Sequence, residues 1–119
     1  MRITWSDVMD FVEDIKNLHE LHKFTGVYGL PRGGCIPAVI ISNNLNIPYL
    51  AAPCEGCIIV DDIADTGRSL CHYTQNETQF NKYFIATLVY NPTRSVVEPN
   101  YYMGLKTDDS DWVVFPWEV

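Results

Sequence analysis

The sequence predicts an α/β domain in three layers, a mostly parallel sheet flanked by helices. Two observations predict it. Short apolar runs suited to strands recur at residues 26–30, 47–51, 57–60 and 83–90. Segments with helix-like patterning separate them, at residues 6–21, 35–45 and 66–80. Strands that alternate with helices build parallel sheets through right-handed crossovers.

Each element has its own signal. In 6–21, Val8, Phe11, Val12, Ile15 and Leu18 recur at helical spacing, with polar residues on the other face. Thr4 or Ser6 is the candidate N-cap. Residues 26–30 read as a strand, Pro31 to Gly34 as a turn, 35–45 as a second helix and 47–51 as a second strand. The unbroken apolar run Cys57-Ile-Ile-Val60 suits a strand buried on both faces. A third helix is expected over 66–80 and another buried strand over 83–90, with shorter irregular segments beyond Asn91.

The whole chain, 1–119, reads as a single domain: 119 residues suit one core, and a hydrophobic content of 47% excludes a disordered chain. No apolar run reaches the roughly 20 residues a membrane helix needs. The first residues lack a signal-peptide layout, so no membrane partner and a cytoplasmic setting are the expectations. A net charge of −7 argues against a nucleic-acid partner, which needs a basic surface. It does not argue against a small anion held by backbone amides, an Arg or two and a metal ion. Cys54 and Cys57 have metal-ligand or redox spacing, and Cys71-His72 follows. Zinc would need two such pairs or a matching His pair, and the sequence has neither. The four cysteines therefore read as reduced thiols.

In an open parallel sheet, ligands sit beyond the carboxyl ends of the strands. Two strand-to-helix junctions carry unusual residues there: Pro31-Arg-Gly-Gly34 and the stretch from Asp61 to Ser69. In the second, an apolar strand delivers Asp61 and Asp62 to the sheet edge. Thr66, Gly67, Arg68 and Ser69 would then offer amides and two hydroxyls at a helix start, a phosphate cradle. The two adjacent carboxylates repel anions, so their partners are sugar hydroxyls and a hard divalent cation. Magnesium, which takes few carboxylates and bridges substrate phosphates, fits best. The plainer alternative is an ordinary strand–loop–helix with an acidic turn.

The segment Ile58-Ile-Val-Asp-Asp-Ile-Ala-Asp-Thr-Gly-Arg-Ser-Leu70 resembles the phosphoribosyl-diphosphate (PRPP) signature of type I phosphoribosyltransferases. Three further stretches resemble the bacterial xanthine-guanine branch, in the right order. They are Ile3-Thr-Trp5 at the start, Arg32-Gly-Gly-Cys-Ile-Pro37 at the pyrophosphate loop, and Asp111-Trp-Val-Val-Phe-Pro-Trp-Glu118 at a C-terminal hood over the base. The resemblance implies a core over roughly 1–97 with hood elements over roughly 98–119. It implies transfer of the 5-phosphoribosyl group from PRPP to a purine or purine-like base, releasing pyrophosphate, in nucleotide salvage. It also implies Mg2+, with PRPP and a nucleobase as partners, in a homodimer or homotetramer.

Residue by residue, the resemblance places ribose and metal on Asp61 and Asp62. It places the 5′-phosphate on Asp65, Thr66, Gly67, Arg68 and Ser69, with Asp65 also near the purine as a proton relay. Pyrophosphate falls to Pro31, Arg32, Gly33 and Gly34, with a non-proline cis peptide implied at Pro31–Arg32. The base falls to Trp112 and Val113, and to Asn91 where the family has a Lys that reads the purine 6-oxygen. Arg94 is a possible substitute for that Lys, and Trp112 with Trp117 could instead plug the core. The family's long closing segment before the PRPP strand is here only Leu50-Ala-Ala-Pro-Cys-Glu-Gly56. Two rival functions follow: a PRPP- or nucleotide-binding module without catalysis, and an RNA-binding regulator on the same scaffold.

Overall fold

The computed structural model describes residues 1–73, 82–108 and 110–118. Helix α1 is Trp5–His22, followed by strand β1 at Val27–Gly29, helix α2 at Cys35–Leu45 and strand β2 at Ile58–Ala64. A single 3-10 turn spans Leu70–Tyr73, and strands β3 (Phe84–Tyr90) and β4 (Tyr101–Leu105) complete the order. The four strands form one sheet in the order β1-β2-β3-β4, parallel at every pairing.

Thr4 is the N-cap of α1. Its hydroxyl accepts from the Asp7 amide at 3.1 Å, and its own amide donates back to Asp7 Oδ2 at 2.8 Å. This reciprocal pair satisfies two amides the helix start would otherwise leave open. The apolar stripe Val8, Phe11, Val12 and Ile15 is buried as its spacing requires. It packs with Ala38 and Ile41 of α2 against Val27, Ile58, Val60 and Leu88 of the sheet. The other sheet face holds a second cluster of Ile59, Ala64, Ile85, Tyr90, Leu70 and Val97. Alternation along β2 therefore feeds two cores, which explains its unbroken apolar run.

Four expectations need correction. The second strand, 47–51, contributes only an isolated bridge from Tyr49 to Val27. The Val27 amide donates to Pro48 O at 2.9 Å and the Leu50 amide to Val27 O at 2.8 Å. Pro48 has no N–H to extend the ladder outward. The third helix is replaced, in its described part, by the 3-10 turn, and residues 74–80 lie outside the described residues. β2 does not end at Val60. It runs through both acids to Ala64, because Ile63 and Ala64 pair with Val89 and Tyr90. The irregular stretch beyond Asn91 contains β4, which pairs with β3 from Ala86↔Tyr101 to Tyr90↔Leu105. β4 also lies in the span assigned to the hood, so the sheet extends to Leu105.

Candidate functional site

β2 carries Asp61 and Asp62 in its carboxyl half. Each turns one oxygen back onto the next amide: Asp62 N donates to Asp61 Oδ1 at 2.8 Å, and Ile63 N donates to Asp62 Oδ1 at 2.7 Å. Burial, and then the negative charge of Asp62, push the Asp61 carboxyl up to about 8. Beside it in register, Thr87 has a buried hydroxyl with no hydrogen-bond partner among the described residues. A crowded acid pair is a place where a cation would supply the missing charge; the Thr87 hydroxyl, fully buried, lies behind it. Among the described residues no cluster of three or more potential metal ligands occurs. A metal here would rest on two carboxylates plus substrate oxygens, the arrangement magnesium favours.

After β2 the chain turns sharply. Gly67 takes a left-handed φ of 74°, which a side chain would strain. The Val96 amide donates to Thr66 O at 2.9 Å and the Cys71 amide to Gly67 O at 2.9 Å, fixing the loop from both sides. Asp61, Ile63 and Asp65 together with Thr66, Gly67, Arg68 and Ser69 line a cavity of about 100 Å³. The sequence reading put this cradle at a helix start. The structure makes it a turn leading into a short 3-10 segment, so local amides and hydroxyls matter here more than a helix dipole.

A second cavity, of about 170 Å³, is lined by Asp62, Ile63, Asp65, Lys106, Trp112, Val113, Phe115 and Glu118. Ile63 and Asp65 belong to both linings, so the cavities meet at that wall. The hood is tied to the start of the chain, with the Ile3 amide donating to Val114 O at 2.8 Å. Trp112 stands 78% exposed on the cavity wall, free to receive a flat ring. Trp117, by contrast, stacks on Phe115 and meets Trp5 edge-on, which is the core-plugging role.

Asp65 anchors a polar network. It accepts from Asn91 Nδ2 at 2.9 Å and from Arg94 Nη1 at 3.4 Å, and Lys106 Nζ lies 3.7 Å away. Asn91 Oδ1 in turn accepts from the Thr93 amide and hydroxyl. Buried Asn91 thus organises the loop and holds Asp65, and it does not line the base-sized cavity. Sequence reasoning missed Lys106. The stretch Tyr101–Leu105, read as a strand, would have put Lys106 at the sheet's carboxyl edge.

Pro31 and Arg32 are exposed and joined by a cis peptide bond. Behind them Gly33 lies so close to Asp62 that a Cβ added to it would overlap the carboxylate. The loop backbone and the acid pair therefore form one surface. Gly33→Ala must displace the Asp62 carboxylate from its bond to Ile63 N. If the resemblance holds for the ligand, we expect a folded protein whose magnesium-dependent PRPP affinity falls about 10-fold, the worth of one charged hydrogen bond. Calorimetry checks it, and unchanged affinity would remove this loop from the site.

The short connection before β2 does not reach over these cavities. Gly56 is hydrogen-bonded to Thr25 and to Lys82, residues that precede β1 and β3, at the opposite end of the sheet. The Thr25 hydroxyl donates to Glu55 O at 3.0 Å and holds the turn there.

No family model matches the chain. Curated proteins do, among them two xanthine-guanine phosphoribosyltransferases. The one from Desulfotalea psychrophila is 25% identical over 118 residues, covering 80% of this chain and 71% of that protein. The one from Nitratidesulfovibrio vulgaris is 24% identical over 142 residues, covering 98% of this chain and 83% of that protein. Among solved structures, a purine phosphoribosyltransferase from Pyrococcus horikoshii superposes with a TM-score of 0.80. It is 28% identical and covers 100% of this chain and 94% of its own. A xanthine-guanine-hypoxanthine phosphoribosyltransferase from Helicobacter pylori gives a TM-score of 0.72 at 15% identity, with coverage of 99% and 92%, a likeness of fold. The resemblance read from the sequence is borne out, and the fold is that of the type I phosphoribosyltransferases.

Proposed function

We propose that this chain, which shares the type I phosphoribosyltransferase fold, transfers the 5-phosphoribosyl group of PRPP to a purine base and releases pyrophosphate. The observation that carries the reading is the pair of cavities meeting at Ile63 and Asp65. A phosphate in the first and a ring in the second would place the ribose at their junction, between Asp61 and Asp62. The names of its relatives support the same reaction class.

In this reading Asp61 and Asp62 hold the ribose hydroxyls and a magnesium ion. When bound, that ion neutralises charge on the pyrophosphate. The loop from Thr66 to Ser69 grips the 5′-phosphate, and the exposed Arg32 with the Gly33 and Gly34 backbone faces the pyrophosphate. Trp112 and Val113 position the base so that its nitrogen lies in line with the anomeric carbon. The N-glycosidic bond forms as the bond to pyrophosphate breaks, through a transition state with oxocarbenium character. Asp65 receives the proton the base nitrogen loses. Assembly into a dimer or tetramer belongs to the same reading, and α2 presents Ile36 and Val39 to solvent on one side.

The test is incubation with PRPP, magnesium and a nucleobase panel, following nucleotide and pyrophosphate together. Nucleotide from at least one base is expected. Tight PRPP binding without turnover would replace the enzyme by a binding module. That second reading is favoured by one feature, a short connection before β2 whose Gly56 is tied to Thr25 and Lys82 at the opposite end of the sheet.

A further inference from the structure

Lys106 is buried, 7% exposed, as the first residue after β4. Its amide donates to Tyr90 O at 2.9 Å, which extends the ladder by one residue and fixes where the side chain starts. Lys106 lines the same cavity as Trp112 and Val113, with its ammonium beside Asp65 on that wall. Its one ion-pair partner among the described residues is Asp65 Oδ2, at 3.7 Å. That carboxylate already accepts from Asn91 and Arg94. An ammonium has three donors and no acceptor, so two of its N–H directions are left for something in the cavity. On the cavity side its shell is completed by solvent or by a ligand that displaces it.

We infer that Lys106 reads the exocyclic group of the base and makes the site selective for an oxo over an amino substituent at the purine 6-position. The inference rests on the phosphoribosyl reading above. The position expected to do this, Asn91, spends its amide on Asp65, and Arg94 is half exposed on the same carboxylate. Neither lines the cavity. The base reader has moved from the end of β3 to the end of β4. Against Lys106 a carbonyl oxygen accepts a charged hydrogen bond, whereas an amino group sets N–H against N–H. Losing such a bond in a buried site costs about 10- to 100-fold in affinity.

Calorimetry with inosine 5′-monophosphate and adenosine 5′-monophosphate tests this without requiring turnover. The unaltered chain should bind the inosine nucleotide at least about 10-fold tighter. Lys106→Met should bring the ratio to within about 2-fold of unity, mainly by weakening the inosine nucleotide, while Lys106→Arg keeps most of the preference. Affinity for PRPP with magnesium should stay within about 3-fold in both variants, because Lys106 lines the base cavity and not the phosphate cavity. A merely structural Lys106 would shift both nucleotides and PRPP alike. Should Lys106→Met fail to fold, Lys106→Gln is read by the same ratio. No preference in the unaltered chain, or a ratio that survives both substitutions, overturns the inference. Absence of any PRPP or nucleotide binding in the unaltered chain would instead overturn the phosphoribosyl reading and take this one with it.

Discussion

In the phosphoribosyl reading, Asp61→Asn is expected to weaken magnesium-dependent PRPP binding at least about 100-fold and, in the same protein, to raise stability at alkaline pH. The two effects share one cause. An ordinary Asp loses its proton at about 3.9. In the folded chain burial and the neighbouring Asp62 push Asp61 up to about 8. Between these values the folded state holds a proton the unfolded chain has released. Stability contributed by this group is therefore full below about pH 4, falls as pH rises, and levels off above about 8. An Asn at this position removes the slope. The variant should match the parent near about pH 4 and exceed it at about pH 9 by an amount on the order of a few kcal/mol.

Binding moves the other way. The amide offers no charge to a cation, so PRPP affinity with magnesium should drop at least about 100-fold, as for one lost charged contact of about 3 kcal/mol. Adding magnesium and PRPP to the parent at about pH 8 should recover its stability by ligand linkage, about 2.7 kcal/mol at roughly a hundred times the dissociation constant. The variant should show no such gain. Urea unfolding at several pH values, with and without ligand, measures both halves. PRPP binding by the Asp61→Asn variant within about 3-fold of the parent would remove Asp61 from the site.

The fold was legible where one physical signal dominated. The stripe of Val8, Phe11, Val12 and Ile15 gives α1, and the alternation of helices with apolar runs gives the parallel order. Legibility failed where signals competed. Two adjacent charges looked like the end of β2, yet pairing of Ile63 and Ala64 carries the strand past them. β4 is only half buried and contains Gly104, so its sequence lacks the dense apolar run of β2. The candidate site followed the same rule. Asp61 through Ser69 are contiguous and read as a block, and most of them line one cavity. Lys106 reaches its cavity only through the pairing of β4 with β3, a relation that spacing along the chain does not encode.

That same long-range meeting makes Asp65 the second residue of large expected effect. Its carboxylate serves three donors from three places: Asn91, Arg94 and Lys106. Asp65→Asn removes the charge and keeps the shape. In the phosphoribosyl reading it also removes the group that takes the base's proton, so turnover should fall about 10²- to 10⁴-fold. Stability should fall as well, because the Lys106 side chain, 8% exposed, loses its only ion-pair partner among the described residues. Breaking a fully buried pair costs about 3–5 kcal/mol. Here the Asp65 side chain is 30% exposed and the separation is 3.7 Å, so about 2 kcal/mol is expected. The two effects separate in the double variant with Lys106→Met. Removing the unpaired cation should restore most of the stability, since the chain no longer buries an uncompensated charge. It should restore none of the turnover, since the proton acceptor is still missing. A double variant as unstable as Asp65→Asn would mean that Asn91 and Arg94, not Lys106, are what Asp65 holds in place. A single variant with parental turnover would assign the proton to another acceptor, and solvent at the open face of the site would be the first to examine.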